Sequence, residues 1–475
     1  MMDVLEDFLH KAQICTRLDS DHQSQKLLDL LTLRPQKNTF MVRLYNVGYI
    51  NETQLRLAIE NRVWFSGNWP AFEKVMASFV CLCTQMNPWS LLESFDLYAI
   101  YLSDITIAFM NKKRGHILTK LLEDVLKQIL PMAKQLDYLM LSKEMHHKPR
   151  LSFVAATLLK IFNSIRSQLG AEDTSEAIKK SAMLFISGKL CQTYFQLSNP
   201  LLCQNVFSNM NNAKLSFGTY HPNQQLQYRY YLAKFYIAKY EFVDAHGHLH
   251  WCLTHLPDNY FVDHSNVTKL LREYLPVCIL LGRRPNFANL SRKFYSAPLK
   301  CPNFFAIYAD LANAIVSGNF SRLHDLLNNV HYASILKSNK FISSFCSKAF
   351  LITLRNLVKS IWIAQGKKMR LEYDVVRQGL SISLNGLELT SVSTIDSSPR
   401  RGLEAFPPLD DYAVENCLIT LIDQNLLRGK VFPRLRVVSL AKSGVFPDIC
   451  ATYILKFGNG AEGLLNSADK WIGKV

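Results

Sequence analysis

The sequence predicts a mainly α protein: a helical-repeat, TPR-like solenoid followed by a C-terminal winged helix. Three observations carry that prediction. Apolar residues recur at helical spacing through the first three quarters of the chain. Breaks at Pro, Gly and Asn cut the middle of it into short paired helices, which cannot each bury a stripe alone and so must stack. The C-terminal part ends in one strong helix and two β-branched segments joined by a turn. At 475 residues with 49% apolar content, the chain is long enough for two to four domains and a sizeable core.

In the N-terminal region, 1–175, Phe72, Val75, Met76, Phe79, Val80 and Cys83 fall on one helical face, and Pro88 ends that helix. A helix is expected from Ser90 to Met110, closed by Lys112, Lys113, Arg114 and Gly115. Pro149 opens the next at its first turn, where a missing amide costs nothing, and the linker AEDTSE marks a domain boundary. The region 176–364 reads as the solenoid, most plainly in the pair Gln224–Tyr240 and Phe242–Leu256, with Tyr231, Phe235 and Tyr240 facing Ala245, Leu249 and Leu253. Residues 365–457 read as the winged helix. It begins with a helix around Leu371–Leu380 and continues through a loose segment, Ser383–Pro408, to a strong helix from Tyr412 to Leu427. Two strands in GKVFP and LRVVSLAKSG complete it. The tail, 458–475, is expected to be loosely held.

The stretches YYLAKFYIAKYEFVDAHGHLHWCL, SGNFSRLHDLL, LRNLVKSIW and ENCLITLIDQNLLRGKVFPRLRVVSL occur in this order. Together they resemble the PCI module shared by subunits of the proteasome lid, the signalosome and translation initiation factor three. With NPWSLLESFDLY and LSNPLLCQNVFSNM added, the chain is similar to the fungal PCI subunit of transcription-and-export complex 2. The resemblance implies a non-enzymatic scaffold at the nuclear pore, in mRNA export. Its implied partners are a larger PCI subunit of the germinal-centre-associated nuclear protein type, met through paired winged helices, and a small acidic subunit of the DSS/SEM type. It further implies RNA or DNA bound by the paired winged helices. The other PCI reading is a signalosome-like or lid-like subunit without nucleic acid.

Charge tests the nucleic-acid expectation. The formal charge is +16, which favours an anionic partner. Nine basic against two acidic residues lie between His331 and Arg377, and six against one between Arg428 and Lys456. The candidate phosphate contacts are Lys359, Lys367, Lys368, Arg370, Arg428, Lys430, Arg434, Arg436 and Lys442. No aromatic interleaving accompanies them, so sequence-independent contact is expected. The helix Asp410–Leu427 is acidic at Asp410, Asp411 and Glu415, a poor reader of a major groove and a better candidate to meet a protein. Arg229, Lys234, Lys239 and Arg272 on the solenoid are the candidates for docking the acidic partner.

An enzymatic alternative rests on DAHGHLHWCLTH, Asp244–His255. His246 and His250 stand at i, i+4, a spacing that puts two imidazoles on one helical face, as a metal-dependent hydrolase would need. Zincin chemistry also needs a Glu beside the first His, and the neighbour is Gly247; His248 and Cys252 lie on another face. The stretch reads instead as the second helix of a stacked pair with its histidines mostly outward. No metal, cofactor or catalytic residue is expected. Eleven cysteines without a Cys-x-x-Cys pair read as buried thiols of a reducing compartment, and the acidic start MMDVLEDFLH is unlike a signal peptide.

Overall fold

The computed structural model describes all residues except 1, 19, 66–68, 142–146, 170–173, 214, 258–262, 298–299, 385–408, 458–470 and 473–475. The chain is mainly helical and divides into two compact units, Met1–Tyr231 and Leu232–Val475. The division falls within the helix Pro222–Ala238 and not in the linker at Ala171–Glu176. No single helix among the described residues is long and apolar enough to cross a membrane.

In the first unit, four shorter helices (Met2–Cys15, Ser20–Leu31, Thr39–Val47 and Glu52–Glu60) precede longer ones at Pro70–Gln85, Leu91–Phe109, Thr119–Leu141 and Pro149–Ser167. Each of these longer helices packs on the next. The stripe Phe72, Val75, Met76, Phe79, Val80 and Cys83 is fully buried, and burial of each large side chain contributes roughly 1.5–3 kcal/mol against chain entropy. The helix carrying it stops at Gln85, three residues short of Pro88. Ser90 caps Leu91–Phe109 by accepting from the Glu93 amide, and Pro149 occupies the first turn of its helix. Buried Asp137 accepts from the Leu151 amide at 2.8 Å, satisfying a helix-start donor that Pro and Lys cannot serve.

The second unit opens with helices Phe242–Thr254, Ser265–Leu280 and Phe287–Phe294, then Phe304–Ser317 and Phe320–Asn328. The Gly-Asn turn between the last two is built as its residues require. Gly318 has φ +71°, and a Cβ there would lie 2.6 Å from Leu357 Cα; Asn319 caps the following helix through the Arg322 amide at 2.8 Å. Val330–Ser338 and a π turn at Phe345–Ala349 lead into Phe350–Ala364, the first helix of the winged helix.

From there the order is helix, β1 (Arg370–Glu372), helix Tyr373–Leu384, helix Asp411–Asp423, β2 (Gly429–Phe432), a short turn Pro433–Leu435, and β3 (Val437–Leu440). The sheet is antiparallel with order β1-β3-β2, the winged-helix arrangement. Its core is Leu371, Val376, Leu380, Val414, Leu418, Leu421 and Val438. The expected helix around Leu371–Leu380 is corrected at its start: Arg370–Glu372 alternates exposed, buried, exposed and forms a third strand, too short for a periodic signal. The segment expected to be loose from Ser383 is also corrected at its start, because Ser383 is buried in the helix, donating to Gly318 O and accepting from Phe320 N. Its remainder, 385–408, lies outside the described residues, as does the tail 458–475 except Trp471 and Ile472, the latter buried. A last helix, Ile449–Phe457, had no counterpart in the sequence reading.

Candidate nucleic-acid interface

Because β3 lies between β1 and β2, residues opposite one another in the two ladders present side chains on one face. Arg370 pairs with Ser439, and Ser439 with Lys430. Both ladders run one step further. The Leu440 amide donates to Met369 O at 2.8 Å and the Ala441 amide to Arg428 O at 3.0 Å, which sets Lys368 and Arg428 on either side of Ala441. These two rows face away from the row Leu371–Val438–Val431, whose Leu371 and Val438 are buried. The outer sheet face therefore holds Lys368, Arg370, Arg428 and Lys430 as a two-by-two array. Its members are roughly 10 Å apart across the strands and roughly 7 Å apart along them. All four are exposed, and among the described residues none of them forms an ion pair.

The other candidate cations are also exposed. Lys359 is exposed on the helix Phe350–Ala364, Lys367 sits in a left-handed turn at φ 58°, Arg434 is on the wing, and Lys442 follows β3. Phe432, 43% exposed, stands in the next row with Val437 and Glu372. The sequence reading saw no aromatic partner for the basic residues, yet GKVF alternates, so Phe432 shares the face of Lys430. A single-stranded base can stack on such a ring.

Arg436 is a correction. Its guanidinium meets Asp374 Oδ1 at 2.9 Å and both oxygens of Asp411 at 2.9 Å, while Arg377 meets Asp374 at 3.0 Å and also Asp411. The Asp411 carboxylate, then Asp374, hold the Arg436 pKa above its usual value. Two cations and two anions close on themselves, so Arg436 is not a free phosphate contact. The acidic residues expected to meet a partner also make internal bonds. Asp410 caps its helix through the Ala413 amide at 2.8 Å, Asp411 belongs to the quartet, and Glu415 accepts from the Tyr373 hydroxyl at 3.3 Å. Burial, followed by the Glu415 charge, pushes the Tyr373 phenol up to about 12.

Two of the nine basic residues counted between His331 and Arg377 face inward. Arg355 is buried and donates to Phe446 O and Pro447 O, and Lys348 lies 4.4 Å from the Phe242 ring and bonds to the Tyr453 hydroxyl. On the solenoid, Arg229 is 2% exposed with its guanidinium 5.1 Å from the Phe217 ring, so its expected place on a docking surface is wrong. Lys234 pairs with Glu273 at 3.4 Å and Lys239 with Glu241 at 2.8 Å, and Arg272 lies 5.6 Å from the Phe304 ring. Glutamates hold the two lysines, and rings from neighbouring segments hold the two arginines.

The histidine stretch forms the helix Phe242–Thr254. His248 is 1% exposed and stacks on Tyr236 at 5.7 Å, so the expectation that the histidines face outward fails there. His246 and His250 stack at 5.8 Å, and both lie against Tyr274. Burial, then the charges of Arg283 and His250, lower the His246 pKa to about 4. Among the described residues, no group of three or more His, Cys, Asp or Glu is placed to hold a metal. Tyr228 and Tyr231 fill space between helices, at 5.4 Å from Phe207 and 5.8 Å from Phe195.

A helical-repeat chain that ends in a winged helix with a basic outer sheet face defines the class: the chain resembles the PCI-domain scaffold proteins. Among known proteins it is similar to Nuclear mRNA export protein THP1 of Saccharomyces cerevisiae, 25% identical over 395 residues, covering 80% of this chain and 82% of the relative. It is also similar to a PCI domain-containing protein of Schizosaccharomyces pombe, 24% identical over 298 residues, 62% of this chain and 60% of that one. A Protein CSN12 homolog from the same yeast is 24% identical over 277 residues, 58% of this chain and 57% of that protein. No protein-family profile matches the chain.

Proposed function

We propose that this chain is a non-enzymatic scaffold subunit of a nuclear mRNA-export assembly at the nuclear pore. In this reading its winged helix pairs with that of a larger PCI subunit, and its sheet adds a basic surface for the RNA or DNA backbone. Support for the assembly comes from the similarity to the THP1 export protein along four fifths of the chain. The single observation that carries nucleic-acid contact is the array of Lys368, Arg370, Arg428 and Lys430, exposed on one face and not ion-paired among the described residues. Four such cations support backbone contact without base readout. A small acidic subunit completes the reading, docking on solenoid cations other than Arg229, such as exposed Arg283.

The test is the salt dependence of binding to a single-stranded RNA probe. Four phosphate contacts give a slope of about −2.8 in log K against log salt, a loss of roughly 50-fold between 50 and 200 mM. Charge reversal at all four positions (Lys368→Glu, Arg370→Glu, Arg428→Glu, Lys430→Glu) is expected to abolish the shift. Undiminished binding by that variant sinks the assignment. Absence of binding by the wild-type chain, with the larger PCI subunit bound, favours a signalosome-like or lid-like subunit, a reading kept by the similarity to CSN12 homologs.

A further inference from the structure

In the first unit the helices Glu52–Glu60, Pro70–Gln85 and Leu91–Phe109 enclose a groove of about 500 Å³ far in sequence from the winged helix. Its central wall is one face of Pro70–Gln85, with lining residues at 70, 73, 74, 77, 78, 81 and 85. That periodicity runs the length of a 16-residue helix, roughly 24 Å. The floor is apolar: Leu55, Ile59, Ala77, Cys81, Leu97 and Ile100, the last 53% exposed. Ile100 thus leaves an apolar side chain open to the groove.

The rim carries the opposite charge to the chain as a whole. Glu52, Glu60, Glu73 and Asp104 line the groove against Arg56 and Lys74, in a protein of formal charge +16. Among the described residues none of the four carboxylates is in an ion pair. Glu73 is held above the usual carboxylate range by burial and by the neighbouring Glu60 charge, and Asp104 is raised by burial. Four carboxylates against two cations leave the rim net negative, and partly desolvated acids in excess are relieved by cations arriving from outside.

We infer that this groove docks a basic amphipathic helix of about 15 residues from a partner protein, its apolar stripe on Ile100, Leu97 and Leu55 and its Lys or Arg residues on Glu60, Glu73 and Asp104. Helix-in-groove recognition reads apolar anchors at i, i+3, i+4 and i+7, and the acidic rim sets the sign of the flanks. This site is independent of the basic sheet face and takes a ligand of opposite charge.

The experiment uses the full chain and a fluorescein-labelled, stapled 15-residue helix with a leucine stripe and lysine or arginine flanks, read by anisotropy. A scrambled peptide and one with glutamate flanks serve as controls. Expected are saturable binding of the basic helix, at least a tenfold loss in Glu60→Lys/Glu73→Lys and in Ile100→Glu, and unchanged binding in the sheet-face reversal variant. Circular dichroism and melting temperature check that each variant folds. The proposal is overturned by failure of the basic helix to bind, by equal binding of the scrambled peptide, or by wild-type binding in the rim variant. A dimer in sedimentation that Ile100→Glu dissociates would assign the groove to a second copy of the chain and overturn it as well.

Discussion

The two ends of the wing sheet use the same residue types to opposite effect. At one end Lys368, Arg370, Arg428 and Lys430 stand exposed in two rows with no carboxylate partner among the described residues; at the other, Arg436 and Arg377 are closed onto Asp374 and Asp411. The difference follows from neighbours. The helices Tyr373–Leu384 and Asp411–Asp423 deliver their first-turn aspartates to the wing end, where helix starts favour negative charge. A basic residue counts toward phosphate binding only where the fold leaves its charge unspent.

Four perturbations sharpen or break that contrast. The largest effect belongs to the free array: its fourfold reversal removes the salt-dependent shift, and each single Lys or Arg to Ala change lowers the slope by about 0.7. Next is His246, a charge the fold suppresses. Its folded pKa, about 4, lies below the ordinary 6.5, so between those values the unfolded chain binds the proton first. The stabilisation is complete above about pH 6.5 and declines as pH falls toward 4, by up to about 3 kcal/mol. Urea unfolding at pH 7 and pH 4.5 measures it; His246→Asn is expected to flatten the dependence, and an equally steep wild-type and variant response contradicts the assignment. Phe432→Ala is expected to cost single-stranded RNA about 1–3 kcal/mol while leaving duplex binding unchanged, because only an unpaired base can lie on the ring. The smallest effect is predicted for Arg436→Gln, which lowers the melting temperature slightly and leaves the RNA slope as it was. A fall in slope like that of Lys430→Ala would show that the quartet opens to admit phosphate.

How much was legible before folding varied with the length of the signal. Long stripes such as Phe72–Cys83 and the GKVFP and LRVVSL segments announced their elements, since many residues repeat one period. β1 was invisible: three residues repeat nothing, and Arg370–Glu372 becomes a strand because Val437–Ser439 pairs with it. Phe432 was within reach of sequence reasoning through alternation with Lys430, had the two been read on one strand. His248 and Arg229 were misplaced because both are polar on helices whose outward faces are covered by other helices.

By itself the sequence determined the helical class, the Gly318 turn, the order helix, helix, strand, wing, strand at the C-terminal end, and the excess of positive charge. These depend on local periodicity, on one glycine's freedom at positive φ, and on composition. The tertiary structure alone decided which charges remain available. Arg370 and Lys430 meet across Ser439 though sixty residues apart, Arg436 is spent on Asp374 and Asp411, and Glu60 and Glu73 gather around an apolar floor. Pairing between charges falls off within a few ångströms, and only the packed chain sets distances on that scale.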